Sequence, residues 1–217
     1  MREGESDKHI ALLNSNGDTI PNVFLNLQPE LWNKERTLLT IWLDPGRIKR
    51  DLIPNQKMGN PIRKGEQYTL TVSANWEDVQ GLHLKQDYRR KFIVGVRDSI
   101  SPNPDQWFLK LPDAGTNQPL VIDIGDPLDC FLLQETIKIL DKSGNRIAGT
   151  LKISHKETKC TFSPDKRWLS GTYRLQVASY LEDLAGNNLN KVFDRDISLK
   201  EIKANKINYE RHFVLNP

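Results

Sequence analysis

The sequence predicts an all-β chain of two tandem β-sandwich domains joined by a Pro-rich linker. Three observations carry that reading. Tyr173, Leu175 and Val177 alternate with polar neighbours, which is the period of a strand with one buried face. Turn signals recur at short intervals while long amphipathic helices are scarce, as in sandwich folds. The pattern also occurs twice. Tyr68, Leu70 and Val72 precede Glu77-Asp78 and Gly81, and 105 residues later Tyr173, Leu175 and Val177 precede Glu182-Asp183 and Gly186. The same offset pairs Leu84 with Leu189, Tyr88 with Phe193 and Arg90 with Arg195.

A second set of matches fills in the earlier part of each repeat. Ile10 to Leu13 and the turn at Asn16-Gly17 match Ile137 to Leu140 and Ser143-Gly144 at an offset of 127. Val23 to Leu27 reads as the returning strand. Thr37 to Pro45 matches Lys159 to Pro164, with Pro45 placed on Pro164 at an offset of 119. The offset then falls to 105, so the first repeat carries about 14 extra residues, an insertion near 47–64 read as a surface loop. Asp44-Pro45-Gly46 before it suits a tight turn. Asp78 and Asp183 stand three before a glycine, as a type I turn requires.

The organisation that follows is a first repeat over 1–97, a linker over 98–117, a second repeat over 118–200 and a C-terminal strand or tail over 201–217. Pro102, Pro104, Pro112 and Gly115 interrupt any period in the linker, and Trp107-Phe108 within it is expected to pack between the domains. Asp129 is expected to cap a helical turn from Cys130. Leu120 to Asp129 has no counterpart in the first repeat, because the offset of 127 carries it before residue 3. The expectation is a protein longer at its N-terminus, and a first domain with one strand fewer than the second. Ile207 to Leu215 is expected to close the second domain, donation to the first being the alternative.

Composition narrows the function classes. At 217 residues each half can bury its own core. A net charge of +3 argues against a dedicated nucleic-acid binder, and the runs Arg47 to Arg50 and Arg89 to Lys91 read as solvated surface. No apolar run approaches the ~18 residues of a membrane helix. The polar opening, Met1 to Lys8, shows no signal peptide, which a mature secreted protein would share. Cys130 and Cys160 are expected to be unpaired, Cys160 as a small apolar residue on an inward strand face.

At this point the residues resemble bacterial immunoglobulin-like domains of the S-layer-protein type. The resemblance rests on Phe162-Ser163-Pro164, Gly171 to Val177 and Asp183-Leu184-Ala185-Gly186-Asn187, with Pro127-Leu128-Asp129 upstream. It covers the second repeat throughout; the first departs from it at Val79 to Leu82 and in its insertion. The resemblance implies tandem immunoglobulin-like domains with a tyrosine corner, in a secreted or cell-envelope protein. Such modules act as spacers, scaffolds or binding domains, and the family supplies no catalytic residues.

No nucleophile elbow, phosphate loop, dinucleotide glycine pattern or zinc helix motif occurs, and His9, His83, His155 and His212 lack ligand spacing. No catalytic residue, cofactor or metal is assigned. Glu77-Asp78 and Glu182-Asp183 are adjacent residues that point to opposite faces, so each Asp is read as a turn anchor rather than half of an acid–base pair. Calcium at Asp183 to Asn188 would need more oxygens than that turn offers. Trp76 shares parity with Tyr68 and is read as core. Trp42 points outward if Ile41 and Leu43 point inward; either the insertion folds over it, or Trp42 and Arg47 form a platform for a protein or glycan at the cell surface. The reading is a non-catalytic structural or binding module. The alternatives are a carbohydrate- or protein-binding accessory module of a larger extracellular enzyme and, last, a hydrolase without a recognisable motif.

Overall fold

Alternation in the sequence becomes antiparallel strand pairing in both halves of the computed structural model, which describes residues 1–194 and 206–217. The chain divides into two units, Met1–Arg97 and Asp98–Pro217. The first runs α1 (Ser6–His9), β1 (Ile10–Leu13), β2 (Leu31–Trp32), β3 (Leu39–Thr40), α2 (Pro45–Ile48), α3 (Ile53–Met58), β4 (Gln67–Val72) and β5 (Tyr88–Ile93). The second has a 3₁₀ turn (Pro104–Gln106), then β6 (Phe108–Lys110), β7 (Leu120–Asp123), α4 (Cys130–Thr136), β8 (Ile137–Asp141), β9 (Gly149–Ser154), β10 (Lys159–Pro164), β11 (Gly171–Ala178) and β12 (Asn208–Leu215).

Register shows how closely the repeats agree. In the first unit β4 lies between β1 and β5; in the second β11 lies between β8 and β12. Leu12 stands opposite Leu70, and their repeat partners Ile139 and Leu175 stand opposite one another. Tyr68 faces Phe92 as Tyr173 faces Phe213. The bridge Phe24↔Leu43 repeats as Leu151↔Phe162. The hairpin turns agree as well: Asn14 Oδ1 accepts from the amides of Asn16 and Asp18, and Asp141 Oδ1 from those of Ser143 and Asn145.

One expected match fails. The counterpart of β5 is β12, because Tyr88 opposite Val72 corresponds to Tyr209 opposite Val177, an offset of 121. Phe193 lies in no strand, so it is not the equivalent of Tyr88. Arg195, and with it the stretch 195–205, lies outside the described residues. β12 pairs with β11 along Gly171 to Ala178, so the closing strand belongs to the second unit's own sheet.

In the second unit two sheets share one core. One sheet has the order β6-β7-β10-β9 and contributes Leu120, Ile122, Cys160 and Phe162. The other, β12-β11-β8, contributes Ile137, Ile139, Tyr173, Leu175, Val177 and Phe213. Trp168 lies between them, with its ring edge-on to Tyr173 at 5.2 Å and tilted against Phe162 at 6.0 Å. The Tyr173 hydroxyl donates to Leu169 O at 2.9 Å and accepts from the Leu169 amide, the geometry of a tyrosine corner. Tyr68 accepts from the Arg63 amide in the same way, but its hydroxyl donates to Glu66.

The stretch 98–117, expected as a linker, falls within the second unit. Trp107 is buried in the second unit's core rather than between domains, and Phe108 is exposed at the start of β6. Arg211 donates to the carbonyls of Pro104 and Trp107, and Thr116 O and Gln118 O accept from the Trp168 amide and indole. These contacts tie the stretch from Pro104 onward into the second unit, which begins at Asp98. The prolines of that stretch limit each piece to a few residues, too short to show a period.

The insertion is also more than a surface loop. Asp44 caps α2 by accepting from the Gly46 amide at 2.7 Å, with Pro45 in the first turn where its missing N–H costs nothing. The tight turn expected at Asp44-Pro45-Gly46 is thus a helix start. Asn55 of α3 is buried and donates to Arg47 O and Asn60 Oδ1. In the second unit Asp129 caps α4 by accepting from Phe131 and Leu132, as expected. Both thiols are free in the structure. Cys160 is fully buried, and burial, with the neighbouring Cys130, pushes its thiol up to about 12.

Candidate functional site: an open sheet edge

The two repeats diverge most at one strand edge. In the second unit β10 is paired on both sides, with β9 through Leu151 opposite Phe162 and with β7 through Ile122 opposite Cys160 and Leu120 opposite Phe162. The equivalent residues of the first unit, Ile41 to Leu43, are paired on one side only. Leu25 donates to Trp42 O and Asp44 donates to Val23 O. Because strand residues alternate the direction of their N–H and C=O groups, those of Ile41 and Leu43 point to the other side. Among the described residues these groups have no hydrogen-bond partner.

Side-chain burial follows the missing strand. Cys160 and Phe162 are 0% and 6% exposed, while Ile41 and Leu43 at the matching positions are 36% and 38% exposed. Leu70 and Val72 are likewise only half-buried where Leu175 and Val177 are fully buried. The first unit's core is correspondingly small: Leu12, Val23 and Tyr68, with Ile20, Phe24, Ile62, Leu70 and Val94 packed against them.

How far the repeats correspond here refines one expectation. The Arg2 amide donates to Glu77 O at 2.7 Å, and the Asp129 amide donates to Glu182 O at 2.9 Å, both at the established offsets. Arg2 thus matches Asp129, and α1 matches the last turn of α4. The helical turn does have a counterpart in the first repeat; the strand β7 has none among the described residues.

Trp42 and Arg47 do not share an exposed face. Trp42 is 48% exposed, so the insertion leaves it uncovered. Arg47 is 3% exposed, and its guanidinium donates to Pro21 O and Gly59 O. Arg47 thus fastens the insertion to the unit instead of facing a partner, and the reading of 47–50 as a solvated basic run fails at this residue. Arg89 to Lys91 of β5 are exposed, in keeping with a solvated run.

The acidic doublets serve the backbone. Asp78 Oδ1 accepts from the amides of Gln80 and Leu82, and Asp183 Oδ1 from those of Ala185 and Asn187. Asp183 Oδ2 accepts from the Asn187 side chain, so its oxygens are occupied within the turn. The amides of Leu82 and Gln80 draw the Asp78 carboxyl below its usual range. Among the described residues no three His, Cys, Asp or Glu side chains gather as a metal would need.

One polar cluster escaped the sequence reading. Glu30 is buried; it accepts from the Ser6 amide at 2.7 Å and from the Trp32 indole at 2.9 Å. Trp76, a core residue as read, packs against Trp32 and stacks on His9 with ring centroids 5.7 Å apart, and donates to Arg2 O. Burial alone would raise the Glu30 carboxyl, but bonds from Ser6, Gly4 and Trp32 outweigh it and hold the group at about 2. A carboxyl held below its free value stabilises the fold above the free value of 4.5 and loses that contribution as pH falls toward 2. Acid titration of the full chain should therefore show a tryptophan fluorescence change in that window. Glu30→Gln should flatten it and cost about 1–2 kcal/mol at neutral pH; an unchanged profile would count against the network. The only sequence signal was a glutamate two residues from a tryptophan, Glu30 and Trp32, which is not specific.

No family model matches the chain, and no curated protein is similar to it. Among solved structures, the S-layer protein rSbsC(31-844) is similar at 15% identity and a TM-score of 0.34. That similarity covers 48% of this chain and 13% of the other, so it spans a small part of that protein's length. No helix among the described residues is long and apolar enough to cross a membrane.

Proposed function

We propose that this chain is a non-catalytic structural or binding module of a secreted or cell-surface bacterial protein, built as two tandem immunoglobulin-like domains. The observation that carries the reading is the use made of its polar side chains. The doublet carboxylates Asp78 and Asp183 are bound into matching turns, and Arg47 and Glu30 hold segments of the first unit together. The motif similarity of the second repeat and the tyrosine corner at Tyr173 support the immunoglobulin-like assignment. The surface location rests on the motif similarity. Protease treatment of intact source cells tests it: surface display requires loss of the protein from intact cells, and full protection with recovery in the cytoplasmic fraction would overturn it.

A binding role for a larger extracellular enzyme is the second reading, and exposed Trp42 favours it. A half-exposed indole can stack on a sugar ring or enter a partner's pocket. Loss of retention on immobilised glycans in Trp42→Ala, with the fold intact, separates this role from that of a spacer.

A further inference from the structure

We propose that the second unit binds a small organic acid, one carboxylate on a short apolar body, in the cleft where the β8–β9 hairpin opens. The two strands of that hairpin belong to different sheets. Ile147 still donates to Ile139 O of β8, but the next residue, Ala148, already accepts from Asp165 and continues the pairing of β9 with β10. The backbones therefore part at Ala148. Between Ile137–Ile139 and Gly149–Leu151 they leave a cleft of about 340 Å³. That is at the small end of the range for ligand sites.

The lining divides by chemistry. Ile139, Leu151 and Phe162 supply an apolar floor drawn from both sheets. Gly149 lets the Phe162 ring come this close to the strand, since a Cβ there would lie 2.6 Å from Phe162 Cζ. Gln134 and Thr150 add neutral polar groups, and the two charged lining residues, Lys138 and Arg146, are both cations. Among the described residues no Asp or Glu lines the cleft, and neither cation has a carboxylate partner. The planar fork of Arg146 suits a carboxylate, Lys138 adds a second positive charge, and an apolar tail covers the floor.

The first unit shows that the hairpin itself does not need these cations. Its bridge Leu13↔Thr19, the equivalent of Leu140↔Arg146, carries a threonine at the arginine position. Ala11 and Asp7 stand where Lys138 and Gln134 do, at the offset of 127. The same turn is thus built without the charge, so turn formation does not account for it. This site goes beyond the structural or binding role proposed above, and it does not depend on Trp42 of the first unit.

The probe is hexanoate, titrated into the isotope-labelled full chain at neutral pH and constant ionic strength. NMR shifts of the Thr150 and Leu151 amides and of the Arg146 Nε–H are expected to saturate with a Kd of about 1 mM or tighter. Hexanol, which lacks the charge, and acetate, which lacks the tail, should each bind roughly tenfold more weakly. Arg146→Gln should weaken hexanoate roughly tenfold and leave hexanol unchanged. Because Arg146 is exposed, its loss leaves the core intact. Lys142→Gln removes an exposed cation of the same hairpin from outside the cleft, and should change affinity by less than about twofold. Shifts that fail to saturate at high millimolar hexanoate would overturn the proposal. Equal affinity for acetate and hexanoate, or unchanged affinity in Arg146→Gln, would overturn it too.

Discussion

Trp168→Ala is expected to destabilise the second unit by about 3–5 kcal/mol, the largest single effect foreseen in this chain. The indole is buried between the two sheets of its unit and touches Phe162 and Tyr173. Its loss removes a large volume that rigid neighbours cannot refill, because Tyr173 is held at Leu169 and stacked on Phe213. It also leaves Gln118 O without its indole donor. Urea unfolding followed by the remaining tryptophans measures the cost. A loss under about 1 kcal/mol would mean that Trp168 is not the keystone its burial indicates.

Gly149→Ala should be the next most costly change. A Cβ at this position would lie 2.4 Å from Ser163 O and 2.6 Å from Phe162 Cζ. The first is backbone in the paired strand β10 and the second a core ring, so neither yields without disturbing the ladder. Overpacking of this kind costs about 1–3 kcal/mol, a fall in melting temperature of roughly 4–12 °C for a unit of this size. Gly95→Ala is the control, since a Cβ there meets nothing within 4 Å. Equal melting temperatures for the two variants would show that β9 and β10 separate more easily than their register implies.

The parts of this fold that were legible in the sequence were those written in local chemistry. Turn aspartates and glycines recur at constant offsets because each turn needs its own side-chain acceptor, whatever lies around it. That is why the matches at 105, 127 and 119 residues coincide with real strand register. Strand partnership was less legible. Continuing the 105 offset paired Tyr88 with Phe193 by residue type, whereas the sheet pairs β11 with a strand beyond residue 205. Nothing local marks that choice; it is made by which edge of β11 remains to be filled. Arg47 was misread for a related reason, since a basic run looks solvated until carbonyls such as Pro21 O and Gly59 O surround one member. The open edge was partly legible, because an absent strand shows as an absent match. The exposure of Ile41 and Leu43 was not, since it follows from the lost cover and their own residue types do not encode it.

The shared register of the two units carries an ambiguity as well as a kinship. β1 offers Ile10 and Leu12 to Val72 and Leu70 in the frame in which β8 offers Ile137 and Ile139 to Val177 and Leu175. Backbone geometry alone therefore makes β1 an acceptable neighbour for β11. Synthesis resolves the ambiguity by order, because β1 and β4 both leave the ribosome before β8 and β11 exist. A chain released from denaturant has no such history, and cross-paired species of the kind repeat proteins form become accessible to it. The direction of translation thus acts as a sorting device for strands whose pairing register does not tell them apart.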